Sequence, residues 1–467
     1  MISPPTLTSR AVERLRREVR GSVLVPAEPG FRAATAGFHL SAPHHPALVV
    51  AASRSSDVAA TVRWAADHGL SVGVQVTGHG TCDPVDGSGV LISTSLLRSV
   101  SVDPDARRAH IEAGTLWSDV IDAADGTGLV PLSGGAPAVG AVSYLLGGGL
   151  GLLSRAFGSP SDHVDSLRLV TANARTTDVT PLGDPELSWG LRGSRGNLGI
   201  VTSATVELVP LPEFFGGGLF FDAAHTRAVL EAYVGWARAL PDAMSSSLAL
   251  LPAAPEASGA LLGRPAVHLR LAHAGPEADA RALSRPLHRV APVVTDTTAA
   301  LPYRLSGTVH ADPVAPVATA STTMLLGDLD SSALEVLGRL GDPLGRPPVM
   351  IELRHMQGAL ARPTAVPGAV GCYPDAVFNL YAVVHLPPGD EVAAAVGRER
   401  VSEVRAALGP WAAPGAMPGF VVDPHDQESV RAVYGDATYR RLARLKALHD
   451  PGNTFRHNLN IAPDPAR

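Results

Sequence analysis

Two glycine-rich loops and one histidine carry the chemistry that can be read from this chain. The first loop is Thr77-Gly78-His79-Gly80-Thr81; the second is Gly147-Gly148-Gly149-Leu150-Gly151, preceded by Gly134-Gly135-Ala136-Pro137-Ala138-Val139-Gly140. Glycines at strand ends leave backbone N–H groups open to a phosphate, so two such loops in one domain point to a nucleotide with a pyrophosphate. Neither loop has the G-x-G-x-x-G spacing of a Rossmann dinucleotide site. On its own residues His79 is equally a turn histidine satisfied by backbone, and Gly147 to Gly151 equally a tight turn between packed elements. P-loop, HExxH, GxSxG and EF-hand spacings are absent. His44-His45, between Pro43 and Pro46, reads as a solvated turn rather than a pair of metal ligands, and no metal is expected.

The elements that position these loops follow from the hydrophobic pattern. Residues 47–53, ALVVAAS, form an apolar run, and SSDVAATVRWAADHG has helical spacing at Val58, Val62 and Ala65 behind Ser56 as a cap. SVGVQV at 71–76 completes a β-α-β unit that ends on the first loop. Strands GVLIST, SVSVD and AHIEAG follow, the last two joined by Asp103-Pro104-Asp105, and a second hairpin is centred on Ala172-Asn173. Pro210 and Pro212 mark a boundary, after which strands such as AVHLRLA, VMIELRH and FNLYAVVHL alternate with helices to about residue 415. The fold class is α+β in two lobes.

Composition bounds what such a chain does. A length of 467 residues suits two ordinary domains, and 45% hydrophobic with 18% charged residues describes a globular protein. No apolar run reaches the roughly 18 residues that span a bilayer. The opening MISPPTLTSRAVERLRREVRG has arginines but no apolar signal core, so a cytoplasmic location is expected. A net charge of -6 without a basic stretch speaks against nucleic acid. Cys82 and Cys372 are too few for a disulfide framework or a zinc knuckle.

Taken in order, the segments VTGHG (76–80), APAVG (136–140), LGGGLGLLSRAFG (146–158), SDHVDSLRLVTA (161–172), DPELSWGLRGSRGNLGIVTS (184–203), ELRHMQGALARP (352–363) and YRRLARLKALHDPGNTFRHNLNI (439–461) resemble the bacterial branch of the berberine-bridge-like flavin oxidases, within the vanillyl-alcohol-oxidase family. The resemblance implies an FAD-binding domain at 1–212, a substrate domain at 213–415 with a sheet over the flavin, and a segment at 416–467 that completes the FAD domain. It implies a covalent bond from His79 to FAD. It places Thr77, Gly78, Gly80 and Thr81, with Gly140, Ala141, Val142 and Ser143 and with Gly149 and Asp162, along the pyrophosphate and flavin. Gly199, Ile200 and Val201 would lie near the adenosine half, and Asn458 and Asn460 at the flavin edge. Three departures stand out. Ala136 occupies the position of a second, cysteinyl flavin bond, so a single linkage is expected; Met417-Pro418-Gly419-Phe420 replaces a Tyr-x-Asn-Phe segment whose tyrosine acts as base; and Gly193-Ser194-Arg195-Gly196 replaces a loop usually richer in glycine.

The implied activity is hydride transfer from a small organic alcohol or amine to FAD, with O₂ as acceptor and a secondary-metabolite intermediate as the kind of substrate. An alcohol also needs a base within about 3 Å, which a neutral amine does not. The candidates are Tyr381, His355 and Tyr144, the first two in strands where a core or hydrogen-bonded role outweighs a catalytic one. A flavin-holding cyclase or isomerase without net oxidation is the alternative that the missing tyrosine keeps open, and a ligand-binding flavoprotein is a third.

Overall fold

The computed structural model describes residues 7–80, 83–253, 261, 263–342, 347–422 and 426–464; Thr81 and Cys82 lie outside the described residues. Near the N terminus a four-stranded sheet is ordered Ser22–Leu24, Leu48–Ala51, Gly89–Ser93, Ser71–Gln75, the last three parallel. Parallel neighbours need a crossover, which helix Ser55–Asp67 supplies, with Val58, Val62 and Ala65 fully buried on its inner face. Its start is not capped by Ser56 as expected. The fully buried Asp57 instead accepts from the backbone N–H of Arg20, Gly21 and Ser53, three donors that one serine hydroxyl could not serve.

A five-stranded antiparallel sheet comes next, ordered Val100–Asp103, Arg108–Glu112, Ile200–Glu207, Val164–Val170, Thr176–Val179. Its outer hairpins turn where the sequence indicates: Asp103 Oδ1 accepts from Ala106 N, and Ala174 holds a left-handed φ of +60°.

The middle of the chain forms an eight-stranded antiparallel sheet. Its main path runs Val293–Asp296, Phe214–Asp222, Ala266–Ala274, Met244–Leu251, Met350–His355, Phe378–Leu386, Ala318–Leu326, with Ala299–Ala300 paired to Phe214–Asp222. Leu219, Leu248, Leu269, Leu353 and Leu380 face helices Thr226–Ala237, Ser331–Leu340 and Glu391–Leu408 in one apolar core. Period-2 alternation then turns Ser247, Arg270, Glu352, Arg354, Asn379 and Tyr381 to the other face. That face meets the first lobe: Thr319, also on it, bonds through its hydroxyl to His39 at 3.1 Å and through its N–H to Ser41 Oγ at 2.9 Å.

The last helices, Gln427–Tyr434 and Asp436–His449, return to the first lobe, where Leu442, Leu445, Leu459 and Ile461 share a core with Leu187, Leu198 and Val201. Lys446 is fully buried and is held by Asp450 at 2.7 Å and by the carbonyls of Asn197 and Phe455, the pairing a buried charge requires. A second buried cation clasps the lobes: Arg155 donates to the carbonyls of Met244, Leu240, Pro241 and Met356 across the interface. Among the described residues no helix is long and apolar enough to cross a membrane, and no three His, Cys, Asp or Glu side chains gather as a metal site.

Candidate active site

Strand Ser71–Gln75 delivers the first glycine loop to the floor of a cleft of about 330 Å³. The loop turns there because Gly78 holds φ +71°, and a Cβ on it would lie 2.7 Å from Gly37 Cα. The cleft brings together Thr77, Gly78, His79 and Gly80, then Val142, Ser143 and Tyr144, then Gly149, Gly199, Ile200 and Val201, and finally Asn458 from the tail.

His79 is oriented from two sides. Its Nδ1 lies 2.8 Å from Thr77 Oγ1, and its ring stacks on Phe38 with centroids 3.8 Å apart. Burial pushes its pKa down to about 4, against a smaller opposing pull from Asp312, so the ring is neutral at pH 7 and keeps a lone pair. His79 also lines a second cavity of about 560 Å³, together with Ala136, His268 and Asp312.

Other sequence candidates fall elsewhere. Gly140 precedes the short helix Ala141–Leu146, Ala141 is fully buried, and neither lines the cleft. Asp162 is also off the cleft; burial raises its pKa to about 6 against the nearby Arg192 cation. Asn460 gives its carbonyl to Gln427 Nε2, and Thr81 lies outside the described residues. His44 is not a solvated turn residue: it is buried, its Nδ1 accepts from Val85 N at 2.9 Å, and its Nε2 therefore donates to Gln75 Oε1 at 3.0 Å.

Several cleft residues escaped the sequence reading. Arg195, in the glycine turn already noted as unusual, lines the cleft and donates to the carbonyls of Gly80, Pro418 and Val421, tying the first loop to the C-terminal segment. Its φ of +53° suits the glycine-flanked turn, which is the one signal the sequence offered. His457, bonded to Ser71 Oγ at 2.8 Å, and Phe420 also line the cleft.

Residues 46–180 match the family model of an FAD-binding domain, and residues 421–462 that of berberine and berberine-like proteins. The chain is 28% identical to (R)-6-hydroxynicotine oxidase of Paenarthrobacter nicotinovorans, over 96% of this chain and 97% of that protein. It is 28% identical to the FAD-linked oxidoreductase OXR1 of Pyricularia oryzae, over 91% and 86%. The chain thus carries an FAD-binding domain and a berberine-like C-terminal segment, and the relatives it is similar to along most of its length are FAD-linked oxidoreductases. Its fold matches that of berberine bridge enzyme from Eschscholzia californica with a TM-score of 0.83 at 18% identity, covering 98% of this chain and all of that one. The crystal structure of 6-hydroxy-D-nicotine oxidase from Arthrobacter nicotinovorans matches with a TM-score of 0.85 at 24% identity, covering 98% and 100%.

The cleft of this FAD-linked oxidoreductase fits its cofactor. Thr94 Oγ1, Tyr144 Oη and Asn458 Oδ1 line it, and each is buried without a well-formed hydrogen bond, as expected where a polar ligand completes the set. The segment at 417–420 presents Gly419 and Phe420 to the cleft, while Met417 is fully buried in a cluster with Leu150, Leu325 and Met356.

The three acid–base candidates are separated by the fold. Tyr381 stands on the cleft-facing side of the large sheet, opposite Glu352 and Thr323 on its neighbours and edge-on to Phe420 at 5.9 Å; burial raises its pKa. Tyr144 is in the cleft itself, and burial raises its pKa further. His355 ends its strand on the Leu353 side, where its Nε2 lies 3.1 Å from the Arg155 guanidinium and 3.0 Å from Gln357 Oε1, and it lines a small cavity together with Arg354.

Proposed function

We propose that the protein is an FAD-dependent oxidase that takes hydride from a small organic alcohol or amine, a secondary-metabolite intermediate in its biological setting, with O₂ as electron acceptor. The observation that carries this reading is the position of His79, which lines both the cleft of about 330 Å³ and the cavity of about 560 Å³ beside it. The first space suits the cofactor and the second gives a small molecule access to it.

In this reading His79 holds the flavin through one covalent bond. Its neutral ring has the lone pair such a bond needs, Thr77 and Phe38 fix its direction, and the Ala136 methyl on the adjoining wall offers no second linkage. Backbone at Gly78, Gly80, Ser143 and Gly149, with Ile200, Val201 and Asn458, would hold the rest of FAD. Bound FAD supplies hydride acceptance, and the protein supplies orientation. Tyr381 would then orient the substrate hydroxyl or amine and pass its proton, with Tyr144 as a second candidate. The relative named an (R)-6-hydroxynicotine oxidase supports an oxidase. A division at 1–212, 213–415 and 416–467 follows, supported by the core that the last helices share with the first lobe.

A cyclase or isomerase without net oxidation is the second reading, favoured by Phe420, whose ring offers the cleft no proton acceptor. Acid-precipitated protein should keep its yellow flavin in the pellet, and a panel of alcohols and amines should bleach the holoprotein anaerobically and release peroxide in air. Flavin wholly in the acid supernatant rejects the covalent bond. A substrate converted with neither bleaching nor peroxide moves the protein to the second reading.

A further inference from the structure

One buried ion cluster on the cleft-facing side of the large sheet is used by none of the above. Glu352, 1% exposed, accepts from Arg270 Nη1 at 2.7 Å and from Arg354 Nε at 2.7 Å, and His310 Nε2 stands 3.4 Å away. Burial keeps His310 and His268 neutral, so within the cluster two cations share one carboxylate, and Asp312 is the further acid that acts on Arg354. Register sets it out as a row: Ser247 faces Arg270 on one neighbouring strand and Arg354 on the other, and Arg354 faces Asn379 beyond.

The row is incompletely satisfied. Among the described residues no acceptor takes the two terminal nitrogens of Arg354, the 3%-exposed Ser247 has no partner for its hydroxyl, and one end of the buried Asn379 amide is unpartnered. Arg270, Ser247, Arg354 and His310 line a cavity of about 30 Å³, roughly twice what one water needs and therefore enough for a carboxylate. Gly135 lies in the wall of both this cavity and the larger one that reaches His79. Arg354 also packs over the Phe420 ring at 5.0 Å, which joins the cavity to the flavin cleft. Buried donors left open cost stability unless something fills them.

We propose that Arg354 is a specificity-determining residue that receives the carboxylate of the substrate, so that the oxidised compound is a hydroxy or amino acid rather than a neutral alcohol or a simple amine. The inference rests on the reading of the cleft as the FAD site. Glu352 fixes the guanidinium through Nε, leaving its terminal edge for a planar acceptor, the geometry in which arginine and carboxylate pair best. Ser247 and the Asn379 amide stand beside it. Asp312, on the rim of the larger cavity, is the acidic group that competes for the same cation.

The probe is benzoate, with benzamide as the isosteric neutral control and benzylamine as the cationic one, titrated calorimetrically into holoprotein while flavin content is scored separately by absorbance. Flavin missing from the wild type sinks the reading this rests on; the binding data decide the carboxylate site independently. Wild type should bind benzoate at least about 10-fold more tightly than either control, the size of one buried charge-assisted hydrogen bond. Arg354→Gln should erase that preference and Arg354→Lys keep part of it. Because Arg354→Gln leaves Glu352 with one partner fewer, the double variant Glu352→Gln/Arg354→Gln, which removes both charges together, serves if the single one does not fold. Equal or tighter binding of a control to wild type, or a preference for benzoate that survives loss of Arg354, overturns the proposal and leaves the cavity as a site for water.

Discussion

A Cβ on Gly149 would fall 2.4 Å from Cε1 of Tyr144, so the ring already fills the space a side chain there would need. Gly149 also holds φ +79°, which L side chains rarely adopt. Gly149→Ala is therefore expected to cost about 2 kcal/mol or more in urea unfolding, through strain and overpacking together. Adding Tyr144→Ala should restore part of that loss. Flavin loss in Gly149→Ala with an unchanged unfolding midpoint would instead assign the glycine to close approach of a phosphate.

The orientation of His79 makes a separate prediction. His79→Ala should fold and bind FAD but surrender it to acid, and in-gel flavin fluorescence after denaturation should disappear. Thr77→Val removes the partner of Nδ1 and should lower the covalently loaded fraction without unfolding the protein. Full fluorescence in His79→Ala would move the linkage to another residue.

Much of this site was legible because it depends on local pattern. The strand that ends at the His79 loop, the buried stripe Val58, Val62 and Ala65, and the alternation that places Tyr381 on one face all follow from period and turn chemistry. What could not be read depends on contacts distant in sequence. Arg195 meets Gly80 and Pro418, 115 and 223 residues away, and Arg155 meets His355, 200 residues away. The same applies to Glu352, whose burial between Arg270 and Arg354 exists only once four strands are in register. Met417 illustrates a further limit: motif position suggested the cleft, but packing with Leu150 and Met356 turns it into the core and leaves Phe420 to line the cleft.

His355 gives a pH dependence. Burial, reinforced by the Arg155 cation, pushes its pKa to about 4 from an ordinary 6.5, and it is only 3% exposed. Between pH 6.5 and 4 the unfolded chain protonates this ring and the folded one does not, so its stabilisation is complete above pH 6.5 and lost as the pH falls toward 4. Asp162 works in the opposite direction: its pKa is raised to about 6, so its contribution is complete below its ordinary 3.8 and is lost as pH rises through 6. His355→Gln should flatten the fall of unfolding free energy between pH 6.5 and 4.5 by up to about 1.4 kcal/mol per pH unit, one proton's worth. An unaltered slope would mean that His355 is already protonated in the fold.

Tyr381 and His355 point to opposite faces of the large sheet, but His355, the last residue of its strand, still lines the small cavity that Arg354 lines. Tyr381 lies on the face toward Phe420 and Arg354. Burial raises the Tyr381 pKa, with the Arg354 cation pulling the other way, so at neutral pH its hydroxyl stays protonated and acts by hydrogen bonding rather than as a free tyrosinate. A hydroxyl that orients the substrate and shares its proton contributes on the scale of acid–base catalysis, about 10²-fold. Tyr381→Phe should therefore slow anaerobic flavin reduction by about that factor in stopped-flow measurements, with FAD content unchanged. Equal reduction rates in wild type and Tyr381→Phe would remove Tyr381 from the chemistry and favour direct hydride loss from a neutral amine, which needs no base; a loss confined to Tyr144→Phe would move the role to the other tyrosine of the cleft.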